Sequence, residues 1–286
     1  MQSEVKIRPV DLDYPTDDLP RHFVGGDIMM SHIVAMLSGM FPDGEKFFMR
    51  SVRRVSDQIT NDELGDKVKA FLGQEAMHGR EHRRFNELLA DLGYPTKGLE
   101  KAVDRGLRIR QRLQSKRANL AVTAALEHYT ATLAETLLSS EEARQMLADV
   151  PEVQSLFLWH ALEESEHKAV AFDVYLDVGG RDRMRRFMMN VTTVIFLTAL
   201  TLSTTVSVAK DPVARRNPRR LWHSIRALRR SPWLNKAVVR KIRDYNRPDF
   251  HPDDWDATEL LDRWRAELFG AGGVVTPHLR RSAEVT

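Results

Sequence analysis

Two short stretches, Glu75-Ala-Met-His78 and Glu164-Ser-Glu-His167, each set a carboxylate and an imidazole one helical turn apart in the middle of an otherwise apolar stripe. Read at intervals of three and four, the first stripe is Val68, Phe71, Glu75, His78, His82, Phe85 and Leu89. The second is Phe157, His160, Glu164, His167, Ala171 and Val174. Residues so spaced share one face of an α-helix. A stripe that is apolar at both ends belongs in a core, where a carboxylate without a partner is very costly. A cation shared between the stripes is the simplest compensation, so the chain is expected to fold as helices gathered around a charged centre.

Two further helical faces each carry one glutamate among apolar residues. Phe41, Glu45, Phe48, Val52 and Val55 share the first; Leu120, Thr123, Glu127, Ala131, Ala134 and Leu138 share the second. The order Glu, Glu-x-x-His, Glu, Glu-x-x-His is the ligand set of ferritin-like di-iron and di-manganese carboxylate bundles. Mixed carboxylate and imidazole donors suit iron or manganese better than a soft metal. A single Glu-x-x-His says little. The competing reading is four separately solvated glutamates with core histidines, and the apolar flanks count against it.

The predicted fold is all-α: a ferritin-like four-helix bundle with additional C-terminal helices. Helical periodicity dominates and strand-like alternation is scarce. The first helix is expected over about Asp27 to Ile59, disturbed near Pro42. Thr60 and Asn61 offer caps for a second, stopped by Gly93 and Pro95. A third occupies much of Lys97 to Leu138, and a fourth starts near Pro151 and ends near Asp177, before Gly179 and Gly180. Residues 1–20 read as an N-terminal arm, 21–180 as the di-metal bundle, and 181–286 as a C-terminal helical extension. The extension holds a polar helix near Asp256 to Leu268, and its last residues read as frayed. The chain is 42% hydrophobic and 29% charged, enough for a sizeable core. It has no cysteine, which excludes disulfides, cysteine-ligated metals and cysteine nucleophiles. Met1 to Pro20 is polar and acidic, so no cleaved secretory signal is expected and the expected location is cytoplasmic.

Four runs carry a family likeness: Pro42-Asp-Gly-Glu45-Lys-Phe-Phe48, Gln74-Glu75-Ala-Met-His78-Gly-Arg-Glu-His82, Glu127-His128, and Trp159-His160-Ala-Leu-Glu163-Glu164-Ser-Glu166-His167-Lys168. Over roughly Pro9 to Gly270 the chain resembles a bacterial family described as predicted metal-dependent hydrolases, within the ferritin-like di-iron group. The resemblance implies that Glu45, Glu75 and His78 hold one iron, that Glu127, Glu164 and His167 hold the other, and that Glu75 and Glu164 bridge. The pattern His160-x-x-x-Glu164-x-x-His167 also resembles the last ligand helix of arylamine N-oxygenases. That likeness would make His160 an extra ligand on the iron of Glu127, Glu164 and His167. If the second and fourth helices run antiparallel, His82 lies toward the same end and is a further candidate; the alternative for either histidine is to orient a ligand carboxylate. Glu163, Glu166, Glu81 and His128 lie beside the ligand faces and are expected at the surface or behind the ligands.

The expected cofactor is a pair of iron ions (Fe2+/Fe3+), with manganese or a mixed pair as variants. The leading functional expectation is activation of dioxygen to oxygenate or desaturate an organic, lipophilic substrate, with electrons from an external donor. The alternative is a metal-dependent hydrolase using a dinuclear centre on an ester or phosphoester. A second alternative is iron oxidation without an organic substrate. A homodimer is the default expectation for this architecture.

The segment 187–209 contains 23 residues without a formal charge, long enough as a helix to cross a bilayer. Thr and Ser fill eight of those positions, so three readings stay open: a span, a membrane-facing hairpin, or a helix packed on the bundle or in a dimer interface. From Ala214 to Ile242 ten Arg or Lys residues occur with no acid, interleaved with Trp222 and Trp233. That pattern suits peripheral contact with the inner face of a membrane. Nucleic acid ranks lower, because no nucleic-acid motif accompanies it.

Overall fold

The computed structural model describes residues 5–14 and 19–280. Among these the chain is all-α, apart from an isolated antiparallel bridge between Val10 and Leu279. The helices are α1 (Ile28–Arg53), α2 (Asp62–Asp91), α3 (Thr96–Leu113), α4 (Lys116–Ser139), α5 (Glu141–Gln145), α6 (Pro151–His167), α7 (Val170–Asp177), α8 (Asp182–Lys210), α9 (Pro212–Arg216), α10 (Pro218–Ala227), α11 (Lys236–Asp244) and α12 (Thr258–Phe269). The frayed end expected for the last residues falls at 281–286, outside the described residues.

Side-chain caps set the starts of six of the twelve helices. Asp27 accepts from the Met30 N–H at 2.8 Å and Asn61 from the Leu64 N–H at 3.1 Å. Two expected helices are each divided. Gln114 is extended, and the Ser115 hydroxyl accepts from the Ala118 N–H to cap a new start at Lys116, so the third helix becomes α3 and α4. The fourth is interrupted at Lys168 and Ala169, directly after His167. In contrast, α1 runs through Pro42 without a break. Proline lacks the N–H that would bond the carbonyl four residues back. That carbonyl, on Ser38, accepts instead from Asn86 Nδ2 at 3.0 Å.

The bundle is a ring in which α1 packs on α2, α2 on α6, α6 on α4 and α4 on α1. Two of the three apolar clusters in the core lie toward opposite ends of the ring. One includes Met36, Phe85, Leu89, Leu138, Leu158 and Leu162; the other includes Phe48, Phe71, Leu120 and Val170. Each fully buried side chain of this kind contributes about 1.5–3 kcal/mol. Along α1, and along α6 into α7, the chain passes from the first cluster to the second, and along α2 and α4 it passes back. The second and fourth ligand helices are therefore antiparallel. On every helix the metal-type residues fall between the two clusters, in a layer sealed above and below by hydrocarbon. The segment α3 carries the chain across the outside of α1 to α4, and α8 lies along α1 and α4.

Candidate metal centre

The structure gathers Glu45, Glu75, His78, Glu127, Glu164, His167 and His160 into one buried layer, none more than 4% exposed. Their donor atoms form two groups, Glu45 with His78 and His160, and Glu75 with Glu164 and His167. Within each group these atoms lie within 4.8 Å of one another. His167 Nε2 is 3.2 Å from Glu75 Oε1, 3.2 Å from Glu127 Oε2 and 3.4 Å from Glu164 Oε1. His78 Nδ1 is 3.5 Å from Glu164 Oε1 and 3.9 Å from Glu75 Oε1. Glu75 and Glu164 lie between the groups, and each faces both His78 and His167.

Two assignments from the sequence change. His160 falls with Glu45 and His78, not with the set of Glu127, Glu164 and His167, because on α6 it stands one turn beyond Glu164 on the side away from His167. Its Nε2 is 3.0 Å from Glu164 Oε1 and 4.0 Å from Glu45 Oε1. His82 is not turned toward the centre. Its Nε2 meets His160 Nδ1 at 2.6 Å and its Nδ1 meets the Ser38 hydroxyl at 2.9 Å, so both ring nitrogens are occupied behind His160.

The hydrogen-bond chains fix which nitrogen of each ring is bare. Asn86 Nδ2 donates to the Ser38 carbonyl and to Glu100, which leaves Asn86 Oδ1 to accept from the Ser38 hydroxyl. Ser38 must then accept from His82 Nδ1. Burial pushes His82 well below the ordinary histidine range, so the ring is neutral and its Nε2 accepts from His160 Nδ1. Burial, with His78 nearby, pushes His160 down to about 4. His160 is therefore neutral too, and its bare Nε2 points at two carboxylates. In the same way, Gln74 Nε2 donates to the Lys6 carbonyl and Glu166, so Gln74 Oε1 accepts from His167 Nδ1 at 2.9 Å. His78 Nε2 donates to Glu163 Oε2 at 3.0 Å. All three imidazoles thus aim their remaining nitrogen at carboxylate oxygens.

That arrangement fits metal ions. Both oxygens of Glu45, Glu75 and Glu127, Glu164 Oε2, His78 Nδ1 and His167 Nε2 are buried without a hydrogen-bond partner. Orphaned buried polar atoms are rare in native folds and costly. Lone pairs facing lone pairs repel unless a cation or a proton lies between. In the metal-free chain the available cations are protons. Burial holds Glu45 and Glu75 well above the usual carboxylate range. Burial, reinforced by Glu164, pushes Glu127 up to about 7. Burial opposes a charge on His78 and His167, but their carboxylate partners outweigh it; His78 is pushed up to about 9 and His167 well above its ordinary value.

A second layer locks the first. Glu163 is fully buried and Glu166 nearly so, behind the ligands, which is one of the two placements expected for them. Arg8 donates to Glu166 at 2.7 and 2.8 Å and to Glu163 at 3.3 Å, and Arg265 donates to Glu166 at 2.8 Å. Glu81 is likewise buried, held by Arg80 and Arg84, and His128 bonds the Lys241 carbonyl. Phe41 packs edge-on against His160 and Phe71 against His167, each at 4.9 Å. Sequence reasoning missed Gln74, Arg8, Arg265, Ser38 and Asn86. Arg8 carries no local signal, because its partners lie 155 and 158 residues away.

Gly79 sets the distance between α2 and Glu45. A Cβ there would stand 2.8 Å from Glu45 Oε2 and 3.7 Å from the Pro42 backbone. Gly79→Ala is expected to turn the Glu45 carboxylate aside and cut bound metal toward one ion per chain, with a small change in melting temperature. Full occupancy in the variant, by elemental analysis, would contradict that role.

A third cluster, His22, His32 and Asp211, has the composition of a metal site but none of its unmet demand. Asp211 Oδ2 lies 2.8 Å from His22 Nε2 and 3.2 Å from His32 Nε2, and the Ser207 hydroxyl meets His32 Nδ1 at 2.7 Å. Those bonds satisfy the group as a clamp between the first residues of α1 and the end of α8.

A cavity of about 700 Å3 lies between α1, α3, α4 and α8, with Glu45, Phe41 and Phe48 in its wall. The remainder of the wall is mostly apolar. Arg110 of α3 also lines it, and its Nε has no hydrogen-bond partner.

No curated protein and no solved structure matched the chain. A family model described as predicted metal-dependent hydrolase matches residues 6–256, nearly the whole chain and all seven residues of the centre. The chain belongs to that family of predicted metal-dependent hydrolases.

Proposed function

We propose that this protein hydrolyses an ester or phosphoester that has an apolar portion, using two metal ions held between α1, α2, α4 and α6. The family match overturns the oxygenase expectation drawn from the ligand pattern: it points to hydrolysis. The observation that carries the reading is the set of orphaned carboxylate oxygens and imidazole nitrogens facing one another in a buried layer. Glu45, His78 and His160 would hold one ion; Glu75, Glu127, Glu164 and His167 would hold the other, with Glu75 and Glu164 able to serve both. Oxygen and nitrogen donors of this kind suit Fe2+ or Mn2+, and hydrolysis needs no change of oxidation state.

When bound, such ions activate water at neutral pH and polarise the scissile bond. The protein supplies the rest. Glu163 and Gln74 fix the rings of His78 and His167 by holding the N–H of each. His82, itself fixed by Ser38, does the same for His160. Phe41 and Phe71 pack hydrocarbon against His160 and His167, which strengthens the charge interactions there. The cavity would take the apolar portion of the substrate beside Glu45, and Arg110 offers a guanidinium to an anionic group such as a phosphoester.

Protein reconstituted with Zn2+ or Mn2+ is expected to cleave a nitrophenyl ester or a nitrophenyl phosphodiester at the same rate under argon and in air. Chelation should lower that rate by roughly 100-fold or more. Turnover that requires dioxygen, with neither ester class cleaved, would refute the reading.

A further inference from the structure

We infer that the outward face of α8 docks on an anionic lipid surface and delivers the apolar portion of a lipid ester into the cavity beside Glu45. The docking step stands by itself; the delivery step rests on the hydrolase reading.

Helix α8 leaves much of its hydrocarbon outside, interleaved with exposed Thr198, Thr201 and Thr205. In its middle and last third the buried residues are Thr192, Thr204 and Ser207, while Val194, Ile195, Leu197, Leu202 and Val206 are 49–66% exposed. Surface helices of globular proteins place the apolar side inward. An extended apolar strip left outside marks a contact with something apolar. By length and composition α8 could cross a bilayer. However, its other face packs along α1 and α4, so a span would strip it from the bundle. A helix that is held on one side and apolar on the other fits the plane of a membrane interface.

Charge selects the occupant. Residues 212–243, directly after α8, contain no Asp or Glu, and the basic residues there include exposed Arg215, Arg216, Arg219 and Arg226. Trp222 and Ile225 are exposed among them on α10. At the other end of α8, Asp182 is already paired with Arg185 and Arg186. An anionic leaflet complements this surface. A second copy of the chain would bring the same basic residues against one another. The cavity opens on the same face: Ile195, Leu202 and Val206 line it while remaining at least half exposed, and Glu45 stands in its inner wall.

The test uses the full chain, metal-free, with vesicles of phosphatidylcholine with and without phosphatidylglycerol. Sedimentation is expected with the anionic vesicles, roughly tenfold or more stronger than with the neutral ones, and weakening as salt rises. Val194→Asp with Leu197→Asp, and separately Arg219→Glu with Arg226→Glu, should each reduce binding by about tenfold, with unchanged melting temperature and metal content. Three results would overturn the inference: no preference for anionic vesicles, a two-copy particle dissociated by the α8 substitutions, or a chain that resists alkaline extraction from membranes. With metal restored, the α8 variant should cleave a soluble short-chain ester as wild type does but lose cleavage of a vesicle-embedded ester. Equal loss on both would overturn delivery. Wild-type protein that binds vesicles but cleaves neither ester would refute the hydrolase reading and leave docking in place.

Discussion

Substituting Glu75 by glutamine is expected to abolish metal uptake and turnover while raising the melting temperature of the metal-free protein. Both Glu75 oxygens are buried and unpartnered, and Glu127 and Glu164 add to the burial that holds its carboxyl well above the usual range. Such a group binds a proton in the folded chain at pH values where the unfolded chain has lost it. Stability of the metal-free fold therefore falls as pH rises above the ordinary carboxylate value, and it keeps falling up to the raised folded value. Glutamine has the same shape and no charge, and it removes that penalty. Each pH unit between the ordinary and the raised folded value costs about 1.4 kcal/mol, and about 2–4 °C follows from each kcal/mol in a chain of this size. The gain should be large at pH 8 and small at pH 5. With metal present the order reverses, because only wild type gains the binding free energy. Calorimetry with and without chelator at both pH values decides it; a metal-free variant that melts below wild type at pH 8 would show that Glu75 has a partner other than a cation.

The second large effect is a release of protons when metal binds. Below about pH 9 His78 keeps a proton in the metal-free chain, and His167, Glu45 and Glu75 are shifted in the same direction. Burial and Glu164 together push Glu127 up to about 7. All of these donors must be deprotonated to coordinate. Affinity should thus climb steeply with pH between 6 and 9, by about tenfold per pH unit for each proton displaced, and at least about two protons should leave. Titration calorimetry in buffers of different ionisation heat counts them directly. A pH-independent affinity would mean that these side chains do not share the metal.

The four glutamates and the two Glu-x-x-His pairs were readable in the sequence because helical spacing puts each on a defined face, and apolar neighbours declare that face buried. The all-α architecture followed from the same periodicity. Two boundaries did not follow. The division at Ser115 and the interruption after His167 depend on a cap and on local packing that leave the hydrophobic period intact on both sides. Pro42 misled in the opposite sense. The local rule predicts a disturbance, and a side chain from another helix, Asn86, supplies the bond that the proline cannot.

By itself, the sequence determined which side chains share a helical face and that such faces require burial, because both depend only on spacing along one helix. It could not set the relation between helices. Only the tertiary structure decided that His160 belongs with Glu45 and His78, that His82 stands behind it, and that Arg8 reaches across the chain to Glu163 and Glu166. It also decided that α8 buries Thr192, Thr204 and Ser207 while leaving Val194, Ile195, Leu197, Leu202 and Val206 outside. Periodicity fixes the angle between residues around a helix axis. What each face meets is set by packing against segments far away in the chain.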